Sequence, residues 1–391
     1  MKTKINWSGR SHDFSIKEKK YLMKVLDSDN LTQGPEKIKF ETSLRRYFKK
    51  ENIFATSSAA SSLEIISLLL NIKKGDEIII PAHTYCASAI PFIRNGAKII
   101  WADIDFKTRT LSFEDVKRKI TSKTKAIVVV HLYGYAVDVA KYKQISKKIK
   151  IIEDCAQALG AEVNKVKAGI VGDFGCFSFH SQKNITTLGE GGAVYVKSNN
   201  LAKKIPGLRH NGHCDFSFKR KDYWYPAMGN LDEDIKGVMP YKFTLSEIQC
   251  AAGHLMMKRL DQLNNKRIQR AKKFIKQFED DVLIFNSEFK NKRHVYHLLS
   301  AYVKKSKNLN NHILIRKLYK EYGIKCVVQY YPLYRYDLFK KNALSKNKCP
   351  VTDEFYDNMI SFPFHIWMSN KNFNYIINST KKVLSDLKNK N

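Results

Sequence analysis

The segment Phe174–Val196, FGCFSFHSQKNITTLGEGGAVYV, decides the fold of this chain. Apolar residues around Phe177 and over 193–196 are typical of two strand ends. Between them lie a single lysine, Lys183, and the glycine-rich run 189–192. Because glycine has no Cβ, the backbone of such a turn can lie close to a planar ligand, with the lysine beside it. A surface hairpin with a solvated lysine explains this segment, taken alone, equally well.

A second segment, Lys150–Gly160, reads KIIEDCAQALG and places Asp154 at the carboxyl end of a short apolar strand. Ligands of open α/β sheets bind at this edge, although an aspartate in this position is also a common helix N-cap. A lysine that can form a Schiff base and an aspartate that can bind a pyridinium nitrogen are the pair that pyridoxal phosphate (PLP) chemistry needs. Together, Lys183 and Asp154 therefore predict a PLP site.

Both segments resemble those of the DegT/DnrJ/EryC1/StrS family of sugar aminotransferases, which are fold-type I enzymes that use PLP and its amine form, pyridoxamine phosphate (PMP). Further matches include TQGP at 32–35 and ISFPFH at 360–365, so the resemblance covers nearly the whole chain. It implies an α/β fold: an aspartate-aminotransferase-like large domain with a mostly parallel mixed sheet over residues 1–255, and a smaller α+β C-terminal domain over 256–391.

The resemblance also implies residue roles, with Lys183 as the catalytic residue. The implied cofactor-binding residues are Ser58, Ala59, Ala60, Tyr85, Asp154, Gln157, Ser178 and Lys183. Asp154 would bind the ring nitrogen, Gln157 the ring oxygen and Ser178 the phosphate, and Tyr85 would stack on the ring. The implied substrate-binding residues are His180, Lys242 and Tyr331. No metal ligands are implied.

Two departures from the family pattern lie in these regions. Ala59 and Ala60 stand where the family has Gly-Thr, at a helix start whose free N–H groups suit a phosphate. Ordinary N-capping by a serine also explains that start. The segment Met239–Gln249 resembles the one that reaches the partner subunit's active site, but Thr244 stands where the family has asparagine or arginine.

Composition limits the function classes. The net charge is +32, yet the lysines are spread over the whole chain, which indicates solvated faces rather than a nucleic-acid site, and a cationic surface would attract anionic nucleotide-sugars. The seven cysteines form no CxxC pair, so neither zinc nor a disulfide framework is predicted. No apolar run is long enough for a membrane span and no apolar signal segment is present. We therefore expect a cytoplasmic protein with no membrane or nucleic-acid partner.

Apolar periodicity predicts the order of elements. Predicted strands lie at 76–81, 97–105, 125–134, 295–303 and 324–331. Predicted helices lie at 15–28, 37–50, 112–121, 138–149, 249–278 and 311–322. The aromatic and charged stretch 215–230 is predicted to be a variable loop, either over the substrate or a simple surface insertion.

The expected function is the transfer of an amino group from L-glutamate to a keto-sugar. The expected keto-sugar is a nucleotide-linked keto-deoxysugar used in surface polysaccharide or glycan biosynthesis. The resemblance implies a homodimer. Two alternatives stay open: a PMP-dependent sugar dehydratase, in which histidine replaces the lysine, and a non-enzymatic binding or regulatory protein of the same fold. Retention of both Lys183 and Asp154 favours the aminotransferase.

Overall fold

The computed structural model describes residues 2–8, 13–216, 229–278, 282–343, 345 and 347–388. Its strands are β1 (Ile53–Thr56), β2 (Glu77–Pro81), β3 (Lys98–Ala102), β4 (Thr124–Val130), β5 (Lys150–Asp154), β6 (Glu162–Val163), β7 (Val166–Lys167), β8 (Phe174–Ser178), β9 (Gly192–Val196), β10 (His213–Cys214), β11 (Asn230–Leu231), β12 (Leu283–Ile284), β13 (Lys292–Arg293), β14 (Leu299–Val303) and β15 (Met359–Phe362).

The α-helices are α1 (Ile16–Leu26), α2 (Pro35–Phe48), α3 (Ala59–Leu69), α4 (Ile90–Arg94), α5 (Phe113–Lys119), α6 (Val139–Lys143), α7 (Asn199–Ala202), α8 (Ile205–Leu208), α9 (Glu247–Met257), α10 (Leu260–Ile275), α11 (Asn311–Tyr322), α12 (Asp337–Asn342), α13 (Pro350–Asn358) and α14 (Asn370–Lys388). Single turns of 3-10 helix lie at Cys86–Ser88, Leu132–Gly134, Lys276–Phe278 and Leu333–Arg335. Among the helices of the described residues, none combines the length and apolar composition that a bilayer crossing requires.

A seven-stranded sheet, with strand order β1-β9-β8-β5-β4-β2-β3, organises the first part of the chain. Neighbouring strands from β8 to β3 are parallel, whereas β9 runs antiparallel to both β8 and β1. Parallel strands need crossover connections, and the helices α4, α5 and α6 lie between the consecutive strands β2 to β5. The predicted α/β class and the mostly parallel mixed sheet are confirmed.

Both faces of this sheet are covered. On β2, Ile78 and Ile80 belong to one apolar cluster together with Val128 of β4, while Ile79 belongs to another together with Ile127. Side chains of a strand alternate between the two faces, so the two clusters are the cores above and below the sheet. The near-continuous apolar runs of β2 and β4 are what this double burial requires.

A second, antiparallel sheet has the order β12-β14-β15 and lies in the last third of the chain. Its core is shared with α11 and α14 and includes Ile5, whose backbone pairs with Ile324. Another contact crosses the predicted boundary at residue 255, because Lys292 of β13 pairs with Val163 of β6. The division into 1–255 and 256–391 stays a prediction.

Some element boundaries differ from the predicted ones. The strand predicted over 324–331 is wrong: Ile324 and Val327 form isolated bridges with two different neighbours, Ile5 and Ser361, so no continuous ladder forms. The helix predicted over 249–278 is divided, with α9 ending and α10 beginning around residues 258–259. The helix predicted over 138–149 is only α6. Of the predicted loop 215–230, residues 217–228 lie outside the described part of the chain.

The first residue of β9, Gly192, allows a close backbone approach. A Cβ atom at this position would lie 2.2 Å from the carbonyl carbon of Ser58, the N-cap of α3. Real Cβ atoms do not tolerate such a distance, and both sides of the contact are backbone. Glycine at this position therefore lets the start of α3 lie directly against the sheet.

We expect Gly192→Ala to lower the free energy of unfolding by about 3 kcal/mol, because two backbone segments must move apart. Denaturant unfolding measures this loss. Gly237→Ala is the matched control: Gly237 has φ +80° with nothing within 4 Å of its Cβ position, so it should lose only about 1 kcal/mol, from backbone strain. Equal losses in the two variants would contradict the steric explanation.

Candidate active site

The ends of several strands meet at one edge of the seven-stranded sheet. Asp154, the last residue of β5, pairs in register with Cys176 of β8. Ser178, the last residue of β8, pairs with Gly192, and Gly192 also pairs with Thr56 at the end of β1. The helix start that follows β1 therefore lies at the same edge, which is where open α/β sheets bind ligands.

A cavity of about 580 Å³ lies at this edge. The predicted site residues that line it are Ser58, Ala59, Ala60, Tyr85, Asp154, Gln157, Ser178, His180 and Lys183. Its size falls within the range of pockets for cofactors and small molecules. The structure thus brings together residues that are separated by more than a hundred positions in the sequence.

Lys183 lies on the turn between β8 and β9 and is one of the residues that line the cavity. Its backbone N–H donates to the carbonyl of His180 at 2.9 Å. Burial lowers the pKa of Lys183, and the negative charge of Asp154 partly opposes this effect. The lysine is thus enclosed by the site rather than solvated on a surface hairpin, and its neutral amine forms at a lower pH than that of an ordinary lysine.

The residue after Lys183 anchors the turn. Asn184 is buried and donates from Nδ2 to Oδ1 of Asn264 on α10 at 2.9 Å. Asn264 in turn donates to the carbonyl of Leu159 at 2.9 Å. Because these amide groups are buried and paired, the position of the turn relative to α10 is strongly specified.

Asp154 is buried and held by two hydrogen bonds. Its Oδ2 accepts from the hydroxyl of Ser88 at 2.7 Å, and its Oδ1 accepts from the backbone N–H of Ala156 at 3.0 Å. The residues that follow Asp154 form turns and no helix, so the alternative role of helix N-cap does not apply. A buried carboxylate whose charge acts on the amine of Lys183 is instead the arrangement expected of a functional site.

The start of α3 presents unpaired donors to the cavity. Ser58 is the N-cap, and its hydroxyl accepts a hydrogen bond from the backbone N–H of Ser61. The hydroxyl of Ser61 in turn accepts a hydrogen bond from the backbone N–H of Ser58. The N–H groups of Ala59 and Ala60 have no partner among the described residues, as expected for the first turn of a helix. With Ser178 lining the same cavity, these donors fit an anionic group such as a phosphate.

Gln157 and two tyrosines form another wall of the cavity. Oε1 of Gln157 accepts from the N–H of Tyr133 at 2.9 Å, and its Nε2 donates to the hydroxyl of Tyr330 at 2.9 Å. Tyr85 is 57% exposed, and its ring meets that of Tyr330 edge to face with centroids 6.1 Å apart. The second N–H of the Gln157 amide remains available for a ligand.

Glu153, which precedes Asp154 on β5, holds neighbouring parts of the chain together. It is grouped with His131 and Cys155, the one set of metal-ligand type found among the described residues. Its carboxylate accepts a hydrogen bond from His131 Nε2 at 3.0 Å and from backbone N–H groups in the loop 169–172 at 2.6–2.7 Å. These donors occupy the carboxylate, so the set anchors that loop to β5.

The predicted substrate-binding residues are placed differently from one another. His180 lines the cavity, and its ring lies 3.7 Å from the carboxylate of Glu190. Lys242 lies elsewhere, in an open groove beside His210. Tyr331 is also outside the cavity lining, because its ring packs against Tyr336 and Tyr356. Its neighbour Tyr330 lines the cavity, and the substrate-binding role of Tyr331 stays a prediction.

Several lining residues escaped the sequence analysis, namely Trp7, Arg267, His297 and Gln329. A signal for Arg267 was present in the sequence. It occupies the apolar face of α10, at helical spacing from the buried Leu263, Ala271 and Phe274. The lysine-rich composition of this helix predicts a solvated surface, so composition alone does not reveal the buried guanidinium of Arg267.

Comparisons with known proteins point to one family. The profile of the DegT/DnrJ/EryC1/StrS aminotransferase family matches residues 13–381. GDP-perosamine synthase of Escherichia coli is 28% identical over 376 residues, covering 95% of this chain and 96% of that protein. The dTDP-3-amino-3,6-dideoxy-alpha-D-galactopyranose transaminase of Aneurinibacillus thermoaerophilus is 28% identical over 361 residues, covering 92% and 93%.

A solved structure gives the same result. A Streptococcus pneumoniae protein described as a sugar aminotransferase, in its PMP form, superimposes with a TM-score of 0.87 at 26% identity, covering 98% of this chain and 100% of that one. The same protein has also been solved in its PLP form, which superimposes with a TM-score of 0.86. The predicted fold-type I architecture is confirmed.

The coupling between Asp154 and Lys183 can be tested in the cofactor-free protein. Asp154→Asn should lower the pKa of Lys183 further, because the charge that favours the ammonium form is removed while burial remains. The reactivity of Lys183 toward a small acylating reagent, followed by mass spectrometry, should therefore begin at a lower pH. Glu190→Gln, which removes a weaker and exposed charge, should shift it less. An unchanged or higher pH for Asp154→Asn would contradict the coupling.

Proposed function

This chain belongs to the DegT/DnrJ/EryC1/StrS aminotransferase family, and we propose that, as a PLP-dependent sugar aminotransferase, it moves an amino group from L-glutamate to a nucleotide-linked keto-sugar. One observation carries the proposal: Lys183 and Asp154 line the same cavity, beside the helix start at Ser58. The names of the relatives, one with a GDP-linked and one with a dTDP-linked amino sugar, support a nucleotide-sugar as the acceptor.

The lining residues fit PLP in charge and in donor type. When bound, PLP supplies an aldehyde that carries the amino group between substrates and a ring that accepts electrons. Asp154 would hold the proton on the ring nitrogen, and Gln157 would donate to the ring oxygen. Ser58, Ala59, Ala60 and Ser178 would hold the phosphate. Tyr85 would cover one face of the ring and exclude water from it.

Lys183 is proposed as the group that moves the proton. Its amine would remove a proton from the α-carbon of the amino donor and later return a proton to the acceptor's carbon in the second half of the reaction. A general base must be unprotonated at the working pH, and the lowered pKa of Lys183 favours that form. A lysine at this position, rather than the histidine of the dehydratase branch, supports transamination.

The protein is further proposed to act as a homodimer in the cytoplasm. Lys242, which lies away from its own chain's cavity, would then contribute to the site of the partner subunit. All seven cysteines are free thiols, and five of them are buried, which suits a reducing compartment. We further propose that the chain divides into a large domain over residues 1–255 and a small domain over residues 256–391.

The role of Lys183 is tested by Lys183→Ala. The variant should lose the visible absorbance of the bound cofactor and at least about 10³-fold in amino transfer from glutamate, since the base is removed. Absorbance spectra and mass detection of the amino sugar, over a panel of nucleotide keto-sugars, measure both. Lys203→Ala removes an exposed lysine and serves as the control. Near wild-type transfer by Lys183→Ala would overturn the mechanism.

The proposed role of Lys242 in the partner's site is tested by mixing variants. Lys183→Ala and Lys242→Ala should each be impaired, but co-refolded mixtures should regain roughly a quarter of wild-type activity. The reason is that half of the dimers are hybrids, each with one intact site. Sedimentation analysis confirms that dimers form. Mixtures no more active than the separate variants would show that Lys242 does not act across the interface.

A further inference from the structure

The guanidinium of Arg267 is a buried cation with no acidic partner in the described part of the chain. Arg267 is 4% exposed and lines the cavity. Its hydrogen bonds are two long contacts of 3.4 Å from Nη1 to the carbonyls of Tyr296 and His297, and its guanidinium lies 5.5 Å from the ring centre of Phe364. Among the described residues, no carboxylate forms an ion pair with it. A buried charge in this state is costly unless an anion joins it.

The polar groups around Arg267 do not neutralise it. Burial and nearby cations lower the pKa of His365 to about 4 and hold the pKa of His297 well below its usual value, so both rings are neutral at pH 7. Nδ1 of His365 and Nε2 of Gln329 are buried without a partner in the described residues, and both side chains line the cavity. Burial lowers the pKa of Arg267 itself to about 10, which leaves it charged.

Arg267 is held in a fixed relation to Lys183. One turn before Arg267 on α10, Asn264 bonds to Asn184, the residue that follows Lys183. His297 bonds to the same Asn184 at 3.3 Å and is affected electrostatically by both Lys183 and Arg267. An anion bound by Arg267 would therefore occupy the same cavity as Lys183, on a wall formed by other elements than the start of α3.

We propose that Arg267 binds a carboxylate group of the amino donor, with His365 and Gln329 as additional polar contacts. The inference rests on the proposed function and names the residue that selects an amino acid as the donor. A planar guanidinium pairs with a carboxylate through two parallel hydrogen bonds. The single positive charge of Arg267, which lines the same cavity as Lys183, matches one carboxylate better than the doubly charged diphosphate of a nucleotide-sugar.

The test uses glutarate, which has the carboxylates of glutamate but no amino group to react. Isothermal titration of the full chain loaded with PLP should show glutarate binding that Arg267→Met weakens about 10- to 100-fold, the range for hydrogen bonds to a charged group. Arg267→Lys, which keeps the charge but loses the paired geometry, should weaken binding by a smaller factor. Lys266→Met removes a neighbouring exposed charge on the same helix and should leave the affinity unchanged.

The other outcomes of the binding experiments decide against the proposal. Unchanged glutarate affinity in Arg267→Met overturns it. If Arg267→Met does not fold, Arg267→Lys replaces it, and a wild-type affinity in that variant has the same consequence. A selective loss of PLP retention would assign Arg267 to the cofactor's phosphate, and a selective loss of keto-sugar binding would assign it to the acceptor. Failure of the wild-type chain to aminate any keto-sugar would instead refute the proposed function, since glutarate binding does not depend on the acceptor.

Discussion

The electrostatic attraction between the amine of Lys183 and the buried carboxylate of Asp154 is the constraint on which the rest of the site depends. Lys183 and Asp154 are each costly to bury alone, and the parallel pairing of β5 with β8 brings their segments to the same edge. Because Asp154 lies beside Cys176 in that pairing, the turn after β8 has little freedom in where it places the lysine. The Asn184–Asn264 bond then fixes the turn against α10.

Both backbone and side-chain groups make parts of the cavity wall electropositive. At one wall, unpaired N–H groups of the first turn of α3 attract an anion without any charged side chain. At another wall, the guanidinium of Arg267 attracts an anion by its full charge. Lys183 lines the same cavity, so ligands with two anionic groups are attracted to the space that contains its amine. Gly192 is essential to this layout, because only a residue without Cβ lets α3 start against the sheet.

Much of this was predictable, and the reasons for the failures are physical. The strands β2, β4 and β5 are buried on both faces, so their apolar runs were conspicuous, and the pair Lys183 and Asp154 was identified by its chemistry. The segment 324–331 has the apolar composition of a strand but pairs only through single bridges, which depend on distant partners such as Ile5 and Ser361. Arg267 was missed because a charged residue among lysines is usually solvated, and its burial results from tertiary packing. The side-chain direction of Tyr330 versus Tyr331 likewise depends on contacts that the local sequence does not specify.

The segment 2–8 contributes to the cavity wall from outside the large sheet. Trp7 and Ser8 line the cavity, yet this segment contributes no strand to the large sheet and is held through the pairing of Ile5 with Ile324 and bonds to the carbonyl of Gly323. Substitutions in such a segment can reshape the mouth of the site without disturbing the pairing of β5 with β8 or the catalytic turn. During evolution, substitutions in this segment can therefore change which sugars enter the cavity, while the residues that transfer nitrogen stay the same.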